Sequence, residues 1–299
     1  MKGVMVSRKI YTLVTISILA AGCAHVDRDP AGQPENASNF TYIGPRHTEE
    51  REMIEQITSI FENASPKFTY AYVERLKDSS IRGITFGRIG FTTCQDGKDL
   101  VLEYDRLRPK NRLHKFLSAM LDGFYKKINC DENVRRLESA KPSFSKVFVS
   151  LAKDPLLRQA QDNVENDRYY QPAMGLADSL GLKLPWSRLV IYDSYIQHGE
   201  GFGDGKDIGI EQIVSQTKLQ LQYRTPLGNG FGVIDEVTWM LEFLRQRRLF
   251  LANGDEEWQE SVGRIDDLVA IHARDHNDQL QPYTFRSKEY GNYKLPIQQ

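Results

Sequence analysis

Three stretches of this chain repeat apolar residues at helical spacing, and almost nothing in it alternates like a strand. In "REMIEQITSIFEN" Met53, Ile54, Ile57, Ile60 and Phe61 fall on one helical face. "RLHKFLSAMLDGFY" repeats the pattern with Leu113, Phe116, Leu117, Met120, Leu121 and Phe124, and "DEVTWMLEFLRQRRLFL" with Val237, Met240, Leu241 and Leu244. The best strand candidate is "GITFGRIGFTT", where glycines interrupt any long helix. These patterns predict a mainly α-helical domain with a short β-element, rather than a sandwich or a dinucleotide-binding fold. No G-x-G-x-x-G, P-loop or H-E-x-x-H occurs, and the six histidines have no metal-ligand spacing. Neither a metal nor an organic cofactor is expected.

The first 23 residues read differently. Lys2, Arg8 and Lys9 precede an apolar run from Ile10 to Ala21, too short to cross a bilayer and suited to a signal peptide. It ends in Ala20-Ala21-Gly22-Cys23, similar to a bacterial lipobox with its leucine one place early, at Leu19. Residues 1–23 are therefore expected to direct export, with Cys23 as a lipidated first mature residue that tethers the protein to a membrane. Ordinary cleavage nearby would instead give a secreted form. Residues 24–46 are rich in Pro, Gly, Asn and Asp without apolar period and read as a flexible tether, leaving 47–299 as the catalytic domain. Without residues 1–23 the chain has 36 basic and 40 acidic side chains, a net of -4. That balance disfavours nucleic acid and suits a neutral or cationic partner; no protein partner is implied. If Cys23 carries lipid, Cys94 and Cys130 remain, either as a disulfide that export permits or as two buried thiols.

Two carboxylates stand out by position. Glu62 ends the first amphipathic segment, where the negative end of the helix dipole and apolar neighbours both favour the protonated form that a general acid needs. Asp78 lies in Lys-Asp-Ser-Ser, an ordinary turn composition. On position alone, each could as well be a solvated acid.

Their setting is more specific. From Glu62 to Asp96 the chain reads "ENASPKFTYAYVERLKDSSIRGITFGRIGFTTCQD". Glu62, Asn63, Tyr70, Tyr72, Glu74, Asp78, Arg82, Gly83, Thr85, Gly90, Phe91 and Asp96 follow in order the signature that this stretch resembles, that of the family 46 chitosanases among glycoside hydrolases. "QAQDNVENDRYYQPA", "IYDSYIQHG", "DEVTWMLEFLRQR" and the tail "NDQLQPYTFRSKEYGNY" resemble later segments of the same family. The resemblance implies endo-hydrolysis of β-1,4 bonds in chitosan, a glucosamine polymer, with inversion at the anomeric carbon. It also implies a two-lobed, lysozyme-like fold with the substrate cleft between the lobes. Glu62 would be the general acid, Asp78 the base and Thr85 a residue that positions the attacking water. Tyr72, Arg82, Asp96, His198, Gly199 and Glu256 would contact the sugar chain, Asp96 through a substrate ammonium. Asp96 could at the same time cap the helix that starts near Lys98. Asp193, Arg247 and Arg264 would form a buried charge network reaching Glu62, although "RQRR" by itself reads as a solvated helix face.

The chain departs from the family at one point. Three residues, Ser79-Ser80-Ile81, separate Asp78 from Arg82, where one is usual. Counted back from Arg82 the base would fall on Ser80, which cannot serve; counted forward from Tyr70 it falls on Asp78, and extra loop residues are thermodynamically cheap. The competing readings are a hydrolase of another amino-sugar polymer, such as peptidoglycan or partly acetylated chitin, and a non-catalytic polysaccharide-binding lipoprotein.

Overall fold

The computed structural model describes residues 48–75, 83–125, 130–203, 208–227 and 232–298. The expected leader and tether, with Cys23, lie outside the described residues, as do Asp78 and Arg82.

The first amphipathic segment forms α1 (Glu49–Asn63), opened by Thr48, whose hydroxyl accepts from the Arg51 amide at 3.2 Å, and closed by Ala64 in a left-handed conformation. All five apolar residues read from its sequence are buried. The chain then crosses into a three-stranded antiparallel sheet of β1 (Val73–Arg75), β2 (Ile84–Phe86) and β3 (Phe91–Thr92), in that order. The β2–β3 hairpin is the "GITFGRIGFTT" element. Four helices follow: α2 (Gly97–Leu107), α3 (His114–Tyr125), α4 (Cys130–Ser139) and α5 (Phe144–Leu151). Next, α6 (Pro155–Glu165) passes through one π turn, Asn166–Tyr170, directly into α7 (Gln171–Leu180). The chain finishes with α8 (Pro185–His198), α9 (Ile210–Gln220), α10 (Glu236–Asn253), α11 (Glu256–Glu260) and α12 (Val262–Ala273), then a hairpin of β4 (Tyr283–Ser287) and β5 (Gly291–Leu295).

Two separate apolar cores divide these elements into lobes. One core gathers Ile84, Phe86, Phe91, Leu100, Phe144, Phe148 and Leu157 from the sheet and α2–α6. The other gathers Ile57, Met174, Trp186, Leu189, Trp239, Phe243 and Leu268 from α1, α7, α8, α10 and α12. The α6–α7 segment contributes to both: Leu157, Ala160 and Val164 lie in the first core, Ala173, Met174 and Ala177 in the second. Its π turn falls at the crossing, the kind of helical defect often found beside functional sites.

The α10 face differs from the sequence reading. Leu241 is exposed, and the buried stripe is Trp239, Met240, Phe243, Leu244, Gln246, Arg247 and Leu251. Stacking of Trp239 on Phe243, at 5.7 Å between ring centroids, and burial of Arg247 rotate the helix away from the all-aliphatic face. Cys94 and Cys130 form a disulfide, with Cα atoms 6.1 Å apart, which ties the segment after β3 to α4.

Candidate active site

Glu62 projects from the last turn of α1 into a hollow of about 310 Å3 between the lobes, and Thr85 of β2 lines the same hollow. Phe61, which precedes Glu62, packs edge-on against Phe285 and Tyr290 of the C-terminal hairpin region, with centroids 5.9 and 5.3 Å away. Tyr293 donates to the carbonyl of Ala64 at 2.8 Å. The end of α1 is thus held from beneath, and the Glu62 side chain keeps 31% of its exposure toward the cleft.

Behind Glu62 stands the charge network. Arg264 of α12 donates from Nη1 to Glu62 Oε1 at 2.7 Å, and from Nε and Nη2 to Asp193 of α8 at 2.9 and 2.5 Å. Arg247 of α10 pairs with Asp193 Oδ2 at 2.8 Å. Asp193 and Arg247 are completely buried, so the "RQRR" segment splits: Arg245 and Arg248 meet water while Arg247 faces inward. Removing such groups from water is costly, and the carboxylates opposite offset most of it. For Arg264, burial opposes the charge, but Asp193 and Glu62 outweigh it and raise its pKa further. For Arg247, burial is the largest influence; despite the pull of Asp193, and with repulsion from Arg264, it is pushed down to about 10. Both remain cations at neutral pH.

His198 belongs to the same network. Arg247 Nε donates to its Nε2 at 3.1 Å, while Nδ1 lies 3.0 Å from the carbonyl of Ile208. A guanidinium only donates and a carbonyl only accepts, so the ring is neutral with its proton on Nδ1. Burial, followed by the Arg247 charge, drives its pKa well below the usual value. Trp258 of α11 stacks on the imidazole at 5.1 Å and 11°.

An adjoining hollow of about 270 Å3 shares Gly90, Thr92, Gln197 and Trp258 with the first and adds Asp96, Tyr169, His198 and Gly199. Asp96 occupies the N-cap position of α2 but its side chain does not cap. It turns back to accept from the Thr92 amide at 2.8 Å and from the Tyr169 hydroxyl, at the π turn, at 2.5 Å. Burial pushes its pKa up, against these hydrogen bonds. A carboxylate so placed gains most from a cation brought into the hollow.

The structure therefore brings Glu62, Thr85, Asp96, His198 and Gly199 to one cleft and sets Asp193, Arg247 and Arg264 behind it. Tyr72, just before β1, is half-buried and donates to Glu74 of that strand rather than lining these two hollows. Glu256 is exposed on the first turn of α11, while Trp258, two residues on, lines both hollows. Trp258 and Tyr169 are site residues that the sequence reading passed over; a lone tryptophan in "NGDEEWQE" carries no period to mark it. Gly83 enters β2 at φ +82, and a Cβ there would stand 2.3 Å from Thr93 Oγ1 and 2.9 Å from Cys94 Sγ, so only glycine fits beside the disulfide. Among the described residues, no group of three His, Cys, Asp or Glu side chains is placed to hold a metal ion.

The comparison with known families matches residues 56–282 to glycosyl hydrolase family 46. The chain is 38% identical over 265 residues to a chitosanase of Bacillus subtilis (strain 168), covering 86% of this chain and 89% of that protein. It is 30% identical over 280 residues to a chitosanase of Nocardioides sp. (strain N106), covering 92% and 90%. Among solved structures, a mutant chitosanase from Bacillus subtilis MY002 complexed with 6 GlcN superposes with a TM-score of 0.71 at 37% identity, over 83% of this chain and 98% of the other. A family 46 chitosanase of Gynuella sunshinyii in complex with chitotetraose gives 0.72 at 32% identity, over 85% and 100%. The mainly α, lysozyme-like fold with its small β-element is the fold of these relatives. The matched stretch runs through both lobes and through Glu62, Asp96, Asp193, Arg247 and Arg264 alike, and the chain belongs to glycosyl hydrolase family 46 and is a glycosidase by that descent.

Proposed function

We propose that the protein hydrolyses internal β-1,4 bonds of chitosan by an inverting acid–base mechanism. The observation that carries the reading is Glu62, fixed by Arg264 at 2.7 Å and facing Thr85 across a cleft between two lobes. Glu62 gives its proton to the glycosidic oxygen as the C–O bond breaks. A water held by Thr85 attacks the anomeric carbon from the opposite face and passes its proton to Asp78. The products are a new reducing end of inverted configuration and a free hydroxyl, and proton exchange with water resets both carboxyls. Such a mechanism needs the two groups roughly 6.5–9.5 Å apart, with the water between them. The mildly acidic chain and the buried carboxylate of Asp96 suit a polymer bearing an ammonium on each residue. His198, neutral, and the adjacent Gly199 offer uncharged contacts in the same hollow.

Fully deacetylated chitosan, followed by NMR at the anomeric proton, tests the reading. Cleavage with inversion is expected, and Asp78→Asn should abolish turnover in a folded protein. Retention of configuration, or near wild-type activity in Asp78→Asn, contradicts it. Residues 1–23 favour export, with Cys23 bearing lipid; Cys23→Ser should then move the enzyme from the membrane fraction to the soluble one.

A further inference from the structure

A second buried charge cluster forms around Glu55, two turns before Glu62 on α1. Arg88, in the turn between β2 and β3, is 3% exposed. Its Nη2 donates to Glu55 Oε2 of α1 at 2.6 Å, and its Nη1 pairs with Asp162 of α6. Its backbone amide donates to Gln161 Oε1 at 2.9 Å, and its guanidinium lies 4.0 Å from the Phe68 ring centre. Glu55 also takes Arg51 at 2.5 Å, and Arg51 reaches Glu165 at 3.0 Å. These bonds join the β2–β3 hairpin to α1, the helix that ends in Glu62.

The geometry matters because Glu55 and Glu62 are seven residues apart, two turns along one face of α1. Thr85 and Arg88 are three residues apart on the hairpin, one in β2 and the other in the turn that follows. Arg88 therefore bridges the two elements that present Glu62 and Thr85 to each other. A pocket of about 10 Å3, the size of one water, lies between Arg88 and the back of Glu62. Three buried polar atoms of its lining residues, Thr58 Oγ1, Asn63 Nδ2 and Arg88 Nε, have no hydrogen-bond partner among the described residues.

We propose that Arg88 is a positioning residue for the hydrolysis: gripped by Glu55 on one side and Asp162 on the other, it fixes the β2–β3 hairpin, and with it Thr85, at the distance from Glu62 that the reaction requires. The inference rests on the roles given above to Glu62 and Thr85. A point charge cannot replace the guanidinium fork, because lysine reaches one of the two carboxylates at a time. Alignment of reacting groups is far more sensitive to displacement than binding spread over a long cleft; a shift of about 1 Å can cost roughly 100-fold in rate.

The test compares wild type, Arg88→Lys, Arg88→Met and Glu55→Gln, with folding checked by circular dichroism. On soluble chitosan, kcat is expected to fall about tenfold in Arg88→Lys and about 100-fold in Arg88→Met, with KM within about twofold. Glu55→Gln, which keeps the side-chain volume, should resemble Arg88→Lys and carries the test if Arg88→Met does not fold. The Glu55→Gln/Arg88→Lys pair should lose no more than the worse single variant. Amide exchange of Gly87–Phe91 reads the grip without turnover and should quicken in every variant. A wild-type enzyme inert on chitosan refutes the assigned activity, whereas exchange still reports on the grip. Unchanged exchange, or quickened exchange with unchanged kcat, overturns the positioning role of Arg88.

Discussion

Glu165, at the centre of the second cluster, should make the protein lose stability as pH rises toward neutrality. It is fully buried between Arg51, Glu55 and Arg88, with the Tyr192 hydroxyl donating to it at 2.6 Å. Two arginines face three carboxylates there, counting Asp162, so one proton is retained easily. Burial first, and the Glu55 charge second, push Glu165 from 4.5 up to about 7, against Arg88 and Arg51. Between those two pH values the folded protein holds a proton that the unfolded chain has released. Stability therefore falls across that window and levels off above it, by about 3 kcal/mol in all. Glu55, lowered by Arg88 and Arg51 against its burial, acts only below pH 4.5 and does not mask the effect. Glu165→Gln removes the titration while its carbonyl still accepts from Arg51 and its amide can donate to Tyr192. Urea unfolding of both proteins from pH 4.5 to 8.5 isolates the term, since groups elsewhere cancel in the difference. The stability of Glu165→Gln relative to wild type should rise by about 3 kcal/mol over that range, with most of the change below pH 7. A difference independent of pH, or one that falls, would refute the argument.

Three further outcomes follow from the structure. Asp193→Asn leaves Arg247 and Arg264 buried without their shared carboxylate and should cost about 3–5 kcal/mol in urea unfolding, with activity falling as Glu62 loses its hold. Replacing both Cys94 and Cys130 by serine frees a crosslink between residues 36 apart and should lower unfolding stability by about 4 kcal/mol on the loop-entropy account. Trp258→Ala uncovers the His198 ring and removes a wall common to both hollows; KM for short glucosamine oligomers should rise about tenfold, equivalent to about 1.4 kcal/mol, while thermal stability changes little.

What could be read from the sequence and what could not divide along a physical line. The α1 face was legible because burial of Met53, Ile54, Ile57, Ile60 and Phe61 is written in a local period that needs no knowledge of the partner. The α10 face was half legible: Met240 and Leu244 are buried as expected, but Leu241 is displaced by Trp239 and by Arg247, whose burial depends on Asp193 of α8. The β4–β5 hairpin went unread because "YTFRSKEYGNY" alternates poorly, and its place is secured by Phe61 and Ala64 more than 200 residues earlier. Within the site, Glu62 stood out by its position at a helix end, whereas Thr85, Asp96, Asp193, Arg247 and Arg264 could be named only through the family resemblance. Arg88 was invisible to both approaches. In "FGRIGF" it looks like any solvated turn arginine, yet its partners stand 33 and 74 residues away in sequence. An apolar side chain is buried by its own transfer free energy, so its pattern announces it. A charged one is buried only when distant groups offset its desolvation, so the sequence around it carries no mark. The residues that hold a cleft of this kind in register are, for that reason, those that local reading is least able to find.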